Sequence, residues 1–155
     1  MPRPIDHLTE TFAELSWLTD AIDIPAVTSM YTADGVLSVT SGEHKSGELV
    51  GSDQIAAFIR GATEGVREQR RHVLTNIRVL NASERTIAGT GYLTLIATEN
   101  GVARVQCSGV HNLTLEQDAS GTWKIKYNEL ILDSPARANG VGVQQGLEHV
   151  ASARV

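Results

Sequence analysis

With one cysteine, Cys107, the chain can form no intrachain disulfide and no cysteine-based zinc site. It also lacks any stretch of about eighteen apolar residues, the minimum for a membrane-spanning helix. The opening Met1-Pro2-Arg3-Pro4-Ile5-Asp6 has no apolar signal core. A cytoplasmic protein with no membrane partner is therefore expected. A basic stripe is missing too: the net charge is −5 and the pI about 5.5. The short Arg67–Arg71 cluster carries Glu68 within it. A nucleic-acid partner is thereby excluded. No Gly-x-Ser-x-Gly elbow occurs, Cys107 has no sequence sign of activation, and the histidines lack metal-ligand spacing. Gly89-Thr90-Gly91 lies in a strand pattern, so it is not a dinucleotide fingerprint. Asn81-Ala82-Ser83 and Asn112-Leu113-Thr114 fit the glycosylation pattern but mean little without secretion.

At 155 residues and 41% hydrophobic content, the chain fits one domain with one core. Helices come first. Asp6 can cap a helix whose Leu8, Phe12, Leu15, Leu18 and Ile22 recur every three or four residues. A neighbouring stripe of Ala13, Ser16, Trp17 and Asp20 lets Asp20 look inward from the edge of the core. Asp23 before Ile24-Pro25 predicts a second short helix carrying Ala26, Val27, Met30 and Tyr31, ended by an Asp34-Gly35 turn. A strand over Val36–Thr40 and a loop or hairpin from Ser41 to Gly47 follow. Ser52 then caps a third helix that buries Ile55, Ala56, Phe58, Ile59 and Ala62.

From His72 onward the pattern is β-rich, with runs over His72–Leu80, Thr86–Thr98, Val102–Glu116 and Thr122–Leu132. Asn81-Ala82-Ser83, Asn100-Gly101 and Asp118-Ala119-Ser120-Gly121 supply the turns. The order favours an antiparallel meander over βαβ units and gives an α+β fold. Gly89, Gly91 and Gly109 inside strands predict a strongly bent, cone-shaped curved sheet with a concave face. Residues 1–134 make the domain. Residues 135–155, small and weakly periodic, read as a flexible tail or a cover for the pocket, with a short helix over Gln144–Ala153.

His72 opens the first long strand, and Asp20 closes the first helix. A carboxylate bonded to one imidazole nitrogen fixes the tautomer and favours the imidazolium, so the other nitrogen can act as a general base. Trp17, Tyr31, Asn112 and Tyr127 are the candidates for binding a substrate and stabilising charge that develops on it. Such chemistry calls for no metal and no organic cofactor. Asp20 near a helix C-terminus is poorly placed against the helix dipole, which favours a functional role. The competing reading makes His72 a satisfied structural histidine, Asp20 a solvated helix-end residue, and the aromatic side chains core.

Three helices before a curved sheet, the segments Tyr31-Thr32-Ala33-Asp34-Gly35-Val36-Leu37 and Arg71-His72-x-x-Thr75-Asn76, and the closing Gly121-Thr122-Trp123-Lys124-Ile125 together resemble a SnoaL-like domain of the nuclear transport factor 2-like superfamily. The resemblance covers about residues 5–134 and implies a cystatin-like α+β barrel. It is nearest to scytalone dehydratase, lindane dehydrochlorinase and bile acid 7α-dehydratase, which abstract a proton with an Asp–His pair. That implies Asp20 and His72 as the catalytic pair, a small hydrophobic cyclic substrate, and a homodimer or homotrimer. A second dehydratase histidine is replaced by Ala97, and the dehydratase tyrosines are unmatched. Asn112 falls at a pocket asparagine, and a one-residue bulge would bring His111 there instead. Dehydration, isomerisation and cyclisation all remain open. So does a non-catalytic binding or scaffolding domain, such as the small subunit of a ring-hydroxylating oxygenase. Epoxide hydrolysis would need an Asp–Arg–Asp set that the chain does not supply.

Overall fold

A computed structural model describes residues 1–133; the expectations for the tail and for a helix over Gln144–Ala153 lie outside the described residues. The first helix, α1, spans Pro4–Asp20. It starts earlier than Asp6 because Pro4, with its fixed φ and absent N–H, suits the first turn. Asp6 sits inside that turn, where its carboxylate accepts from the Arg3 backbone N–H at 2.8 Å and from the Arg3 guanidinium at 2.9 Å. Leu8, Phe12 and Leu15 are buried as the three-and-four spacing requires, whereas Ile22 lies beyond the helix. A short helix, α2, covers Ile24–Ser29 and is capped by Asp23, whose Oδ1 accepts from the Ala26 N–H at 3.1 Å.

Tyr31 belongs to a strand rather than to this helix: β1 runs over Tyr31–Ser41, and Asp34-Gly35 lies within it. The register against the neighbouring strand shifts between Tyr31 and Val36, so the turn residues form an irregularity and not an end. Gly35 permits it, since a side chain there would sit 2.9 Å from the Tyr31 Cβ and 3.0 Å from the Ile125 carbonyl oxygen. Of the expected loop or hairpin, the hairpin is present: a turn at Gly42-Glu43 leads into β2, His44–Val50, antiparallel to β1 with Ser41 opposite His44. Helix α3, Gly51–Thr63, begins one residue before Ser52, and the Gln54 side chain takes the Val50 N–H at 3.1 Å.

Four long strands complete the chain: β3 Gln69–Ala82, β4 Thr86–Glu99, β5 Val102–Gln117 and β6 Trp123–Leu132. With β1 and β2 they form one six-stranded sheet in the order β2-β1-β6-β5-β4-β3. The expected α+β architecture of three helices on a curved sheet is present. Its antiparallel pattern has one exception, the parallel pairing of β1 with β6. Sequence order hides that contact, because the two strands are separated by most of the chain.

Helix α1 lies over β3 and reaches β4, with Leu8 against Gly89 of β4 and Asp20 against His72 of β3. Around its first half the concave face is filled by Phe12, Ile87, Leu113, Leu115 and Ile125, all fully buried. Toward Asp20 the face is hollow. Gly109, on β5 opposite Leu132, is a point of close approach between two backbones. A Cβ there would lie 2.3 Å from the Ile131 carbonyl oxygen and 3.0 Å from the Leu132 Cα. Because the obstacle is a paired strand and not a pliable side chain, Gly109→Ala is expected to cost about 1–3 kcal/mol. Urea denaturation reads this directly, and an unchanged midpoint would contradict the packing described.

Candidate active site

Helix α1 ends where Ile22 adopts a left-handed φ of 56° and the Asp23 N–H closes the last turn on the Leu18 carbonyl at 3.0 Å. That conformation strains a β-branched residue. It leaves Asp20 at the rim of the hollow, directly over the start of β3. The Asp20 Oδ1 lies 2.7 Å from the His72 Nδ1, and the His72 backbone N–H reaches both carboxylate oxygens at 3.1 and 3.2 Å. Main chain and ring therefore grip one carboxylate. These bonds offset the poor placement of an anion at a helix C-terminus. Because a carboxylate can only accept, Nδ1 carries a proton, and in the neutral tautomer that this contact selects the lone pair is on Nε2.

Both residues line a cavity of about 380 Å³. Its wall is mostly apolar, with Leu15, Val27, Phe58, Leu74, Leu93 and Leu130 among the contributors. Strand alternation explains which residues face in: His72 and Leu74 on β3, Leu93 and Leu95 on β4, Asn128, Leu130 and Leu132 on β6. Near the rim, the Arg70 guanidinium donates to the Glu68 carboxylate at 2.9 and 3.1 Å. A bulge on β5 opposite Leu95 and Ile96 inserts Gln106 between Val105 and Cys107, all three line the cavity, and Gln106 Oε1 is buried without a partner among the described residues.

Of the substrate-binding candidates, only Tyr31 reaches the cavity. Trp17 is 76% exposed, because it lies on the far side of α1 from Leu15, Ser16 and Thr19. Asn112 faces the other side of the sheet, where its amide donates to Glu129 at 2.8 Å. Tyr127 shares that outward parity on β6 and does not line the cavity. The polar pocket residues outside the sequence-predicted candidates include His111 and Asn128. Their signal was present: His111 alternates with Gly109, Leu113 and Leu115, and Asn128 with Leu130 and Leu132.

His111, Asn128 and Tyr31 form one buried row. The His111 Nε2–H donates to the Asn128 Oδ1 at 2.6 Å, and the Asn128 Nδ2 donates to the Tyr31 hydroxyl oxygen at 2.6 Å. The edge of His111 also meets the Phe12 ring, with centroids 5.2 Å apart. Burial pushes the His111 pKa down to about 4, against the opposing Asn128 hydrogen bond and reinforced by nearby His72. Burial likewise pushes the Tyr31 hydroxyl up to about 12. Both groups are neutral near pH 7. The cavity thus holds the Asp20–His72 pair at one polar site and a neutral hydrogen-bonding row at another.

Helix-over-cone geometry and the hollow agree with the family comparison, in which the SnoaL-like domain matches residues 5–128. The chain belongs to the SnoaL-like family. Solved structures similar to this SnoaL-like protein include a protein of unknown function from Mycobacterium tuberculosis, at 17% identity and a TM-score of 0.74, covering 94% of this chain and 87% of that one. An NTF2-like protein with a cystatin-like fold from Novosphingobium aromaticivorans is 22% identical, with a TM-score of 0.66 over 85% of this chain and 84% of that one. A chain from the same organism, described as the beta subunit of an aromatic-ring-hydroxylating dioxygenase, is 14% identical with a TM-score of 0.73, covering 88% and 93%. At these identities the likeness is one of fold. A search of curated proteins finds no match. Among the described residues no helix is long and apolar enough to cross a membrane.

Proposed function

We propose that this SnoaL-like protein is an acid–base enzyme that removes a proton from a small hydrophobic cyclic molecule, with His72 as the base and Asp20 as its orienting partner. The observation that carries the reading is the 2.7 Å contact between Asp20 Oδ1 and His72 Nδ1 at the wall of an apolar cavity. His72 Nε2 takes a proton from carbon next to a carbonyl, and the electron pair moves onto the carbonyl oxygen. The Tyr31 hydroxyl is the donor available for that oxygen. The imidazolium then returns its proton. Delivery to another carbon gives isomerisation, delivery to a departing hydroxyl gives elimination of water, and attack of the enolate on a second carbonyl closes a ring. Each route conserves the substrate's electrons and needs no cofactor. Assembly as a homodimer or homotrimer belongs to the same proposal, and light scattering measures it.

The test is a thermal-shift screen of aromatic, terpenoid, steroid and polyketide compounds, followed by turnover assays on the parent and on Asp20→Asn. In Asp20→Asn the side-chain oxygen still accepts from the His72 backbone. Its amide, however, offers a donor to Nδ1, which moves the ring proton to Nε2 and removes the base. Binding is expected to persist while kcat falls by about 10² or more. Equal turnover by both proteins would overturn the proposal. A ligand bound by all forms and converted by none would favour a binding or scaffolding domain, as the dioxygenase beta-subunit likeness allows.

A further inference from the structure

The row His111–Asn128–Tyr31 is left open at both ends. The three residues are 9%, 4% and 7% exposed, and all line the cavity. The donor directions follow from one another. The Asn128 oxygen must receive a proton from His111 Nε2, so His111 Nδ1 carries a lone pair, and that atom is buried without a partner among the described residues. The Asn128 amide nitrogen then donates to the Tyr31 oxygen, so Tyr31 must spend its own proton elsewhere. Among the described hydrogen bonds, no protein group accepts it. A buried polar group left unpaired is costly, and native cores rarely leave one unpaired without a reason. Two unfilled ends on one row beside a hollow are the pattern expected of a ligand site.

We propose that His111, acting through Asn128, is a positioning residue that turns the Tyr31 hydroxyl proton into the cavity, and that the ligand is a cyclic ketone whose carbonyl oxygen accepts it. This rests on the reading of the cavity as a site for a carbonyl substrate and adds the residues that aim the Tyr31 proton at that oxygen. Reversing the Asn128 amide would reverse every donor: the Tyr31 proton would then be absorbed by Asn128, and the site would read no carbonyl. His111 decides between the two arrangements through the nitrogen that holds its proton. Remaining neutral, it also adds no second positive charge beside the imidazolium that forms on His72.

Two measurements test this. In ¹⁵N-labelled protein the His111 ring is expected in the Nε2–H tautomer at pH 7; an Nδ1–H tautomer would overturn the proposal. This measurement uses the unmodified chain, so it decides the positioning role even where a variant fails to fold. In the second, α-tetralone and its hydrocarbon counterpart tetralin are titrated as probes. The ketone is expected to bind about tenfold more tightly, the worth of one well-placed hydrogen bond. The preference should vanish in Tyr31→Phe, shrink in His111→Leu and return in His111→Gln, whose amide can still donate to Asn128. Asp20→Asn should keep it in full, which separates failure of this site from failure of the base. A ketone that does not bind at millimolar concentration, or a preference that survives in Tyr31→Phe or is undiminished in His111→Leu, would refute it.

Discussion

His72→Ala is expected to lower turnover by a factor of about 10² to 10⁴, the usual contribution of a positioned general base. The loss should fall on kcat, since the apolar wall formed by Leu15, Phe58, Leu93 and others is untouched. Stability should fall only by the worth of the one contact removed. Asp20 is held by the backbone N–H at position 72 as well as by the ring, and the substitution removes only the ring contact. The loss of one hydrogen bond to a charged group is of order 1–3 kcal/mol, with the lower end apt for a pair that keeps some solvent contact. The ring also leaves a space beside the carboxylate that free imidazole fits. Added imidazole should therefore restore part of the rate in His72→Ala and none in a form that lacks Asp20 as well. An undiminished rate in His72→Ala would dismiss His72 as the base.

The Asp20–His72 contact was legible because it depends on coarse features. The helical period of Leu8, Phe12 and Leu15 sets which side of α1 is inner, and Asp20 lies within reach of that side. His72 is placed by the start of a strand and needs no residue-level register. The remaining pocket residues depend on parity along strands, and parity is fragile. Successive strand residues point to opposite faces, so an error of one exchanges inside for outside. Counting along the family resemblance points to Asn112, with His111 one bulge away, and the side chain facing in is His111. Bulges in the β4–β5 and β5–β6 pairings make such counting unsafe. The alternation of His111 with Leu113 and Leu115 was the safer guide.

Tyr31 shows a different difficulty. Its local signals, a proline-started helix before it and Asp34-Gly35 after it, favour the end of a helix. Pairing with Ile125 on a strand from the far end of the chain makes it the first residue of β1. Tertiary pairing overrode the local preference. That same pairing carries Tyr31 to within a hydrogen bond of Asn128, so its role in the pocket and its misread secondary structure share one cause. Trp17 failed for a simpler reason: one step along a helix turns a side chain about 100°, enough to leave the inner face beside Ser16 for solvent.

Acidification from pH 6.5 towards 4 is expected to remove about 3 kcal/mol of folding stability through His111 alone. In the unfolded chain this imidazole takes up a proton near pH 6.5, while in the folded chain burial holds it off until about pH 4. The unfolded state therefore binds more protons throughout that window, and stability falls as pH falls. Each unit of separation is worth about 1.4 kcal/mol, which gives the total above. Against an overall stability of about 5–15 kcal/mol for a typical domain, this is a large loss. The surface carboxylates Asp6, Asp34 and Asp118 titrate lower, since Arg3, Lys126 and Ser120 respectively hold them below the ordinary carboxylate range. Their losses come after that of His111. The check is the urea midpoint of the parent and of His111→Gln at pH 7 and pH 4.5. Glutamine does not titrate, so the parent should lose stability across the interval relative to the variant, by about 1 M urea or more. Parallel losses in the two proteins would mean that His111 gains its proton as easily inside the fold as outside it, and the neutral row beside the cavity would lose its physical basis.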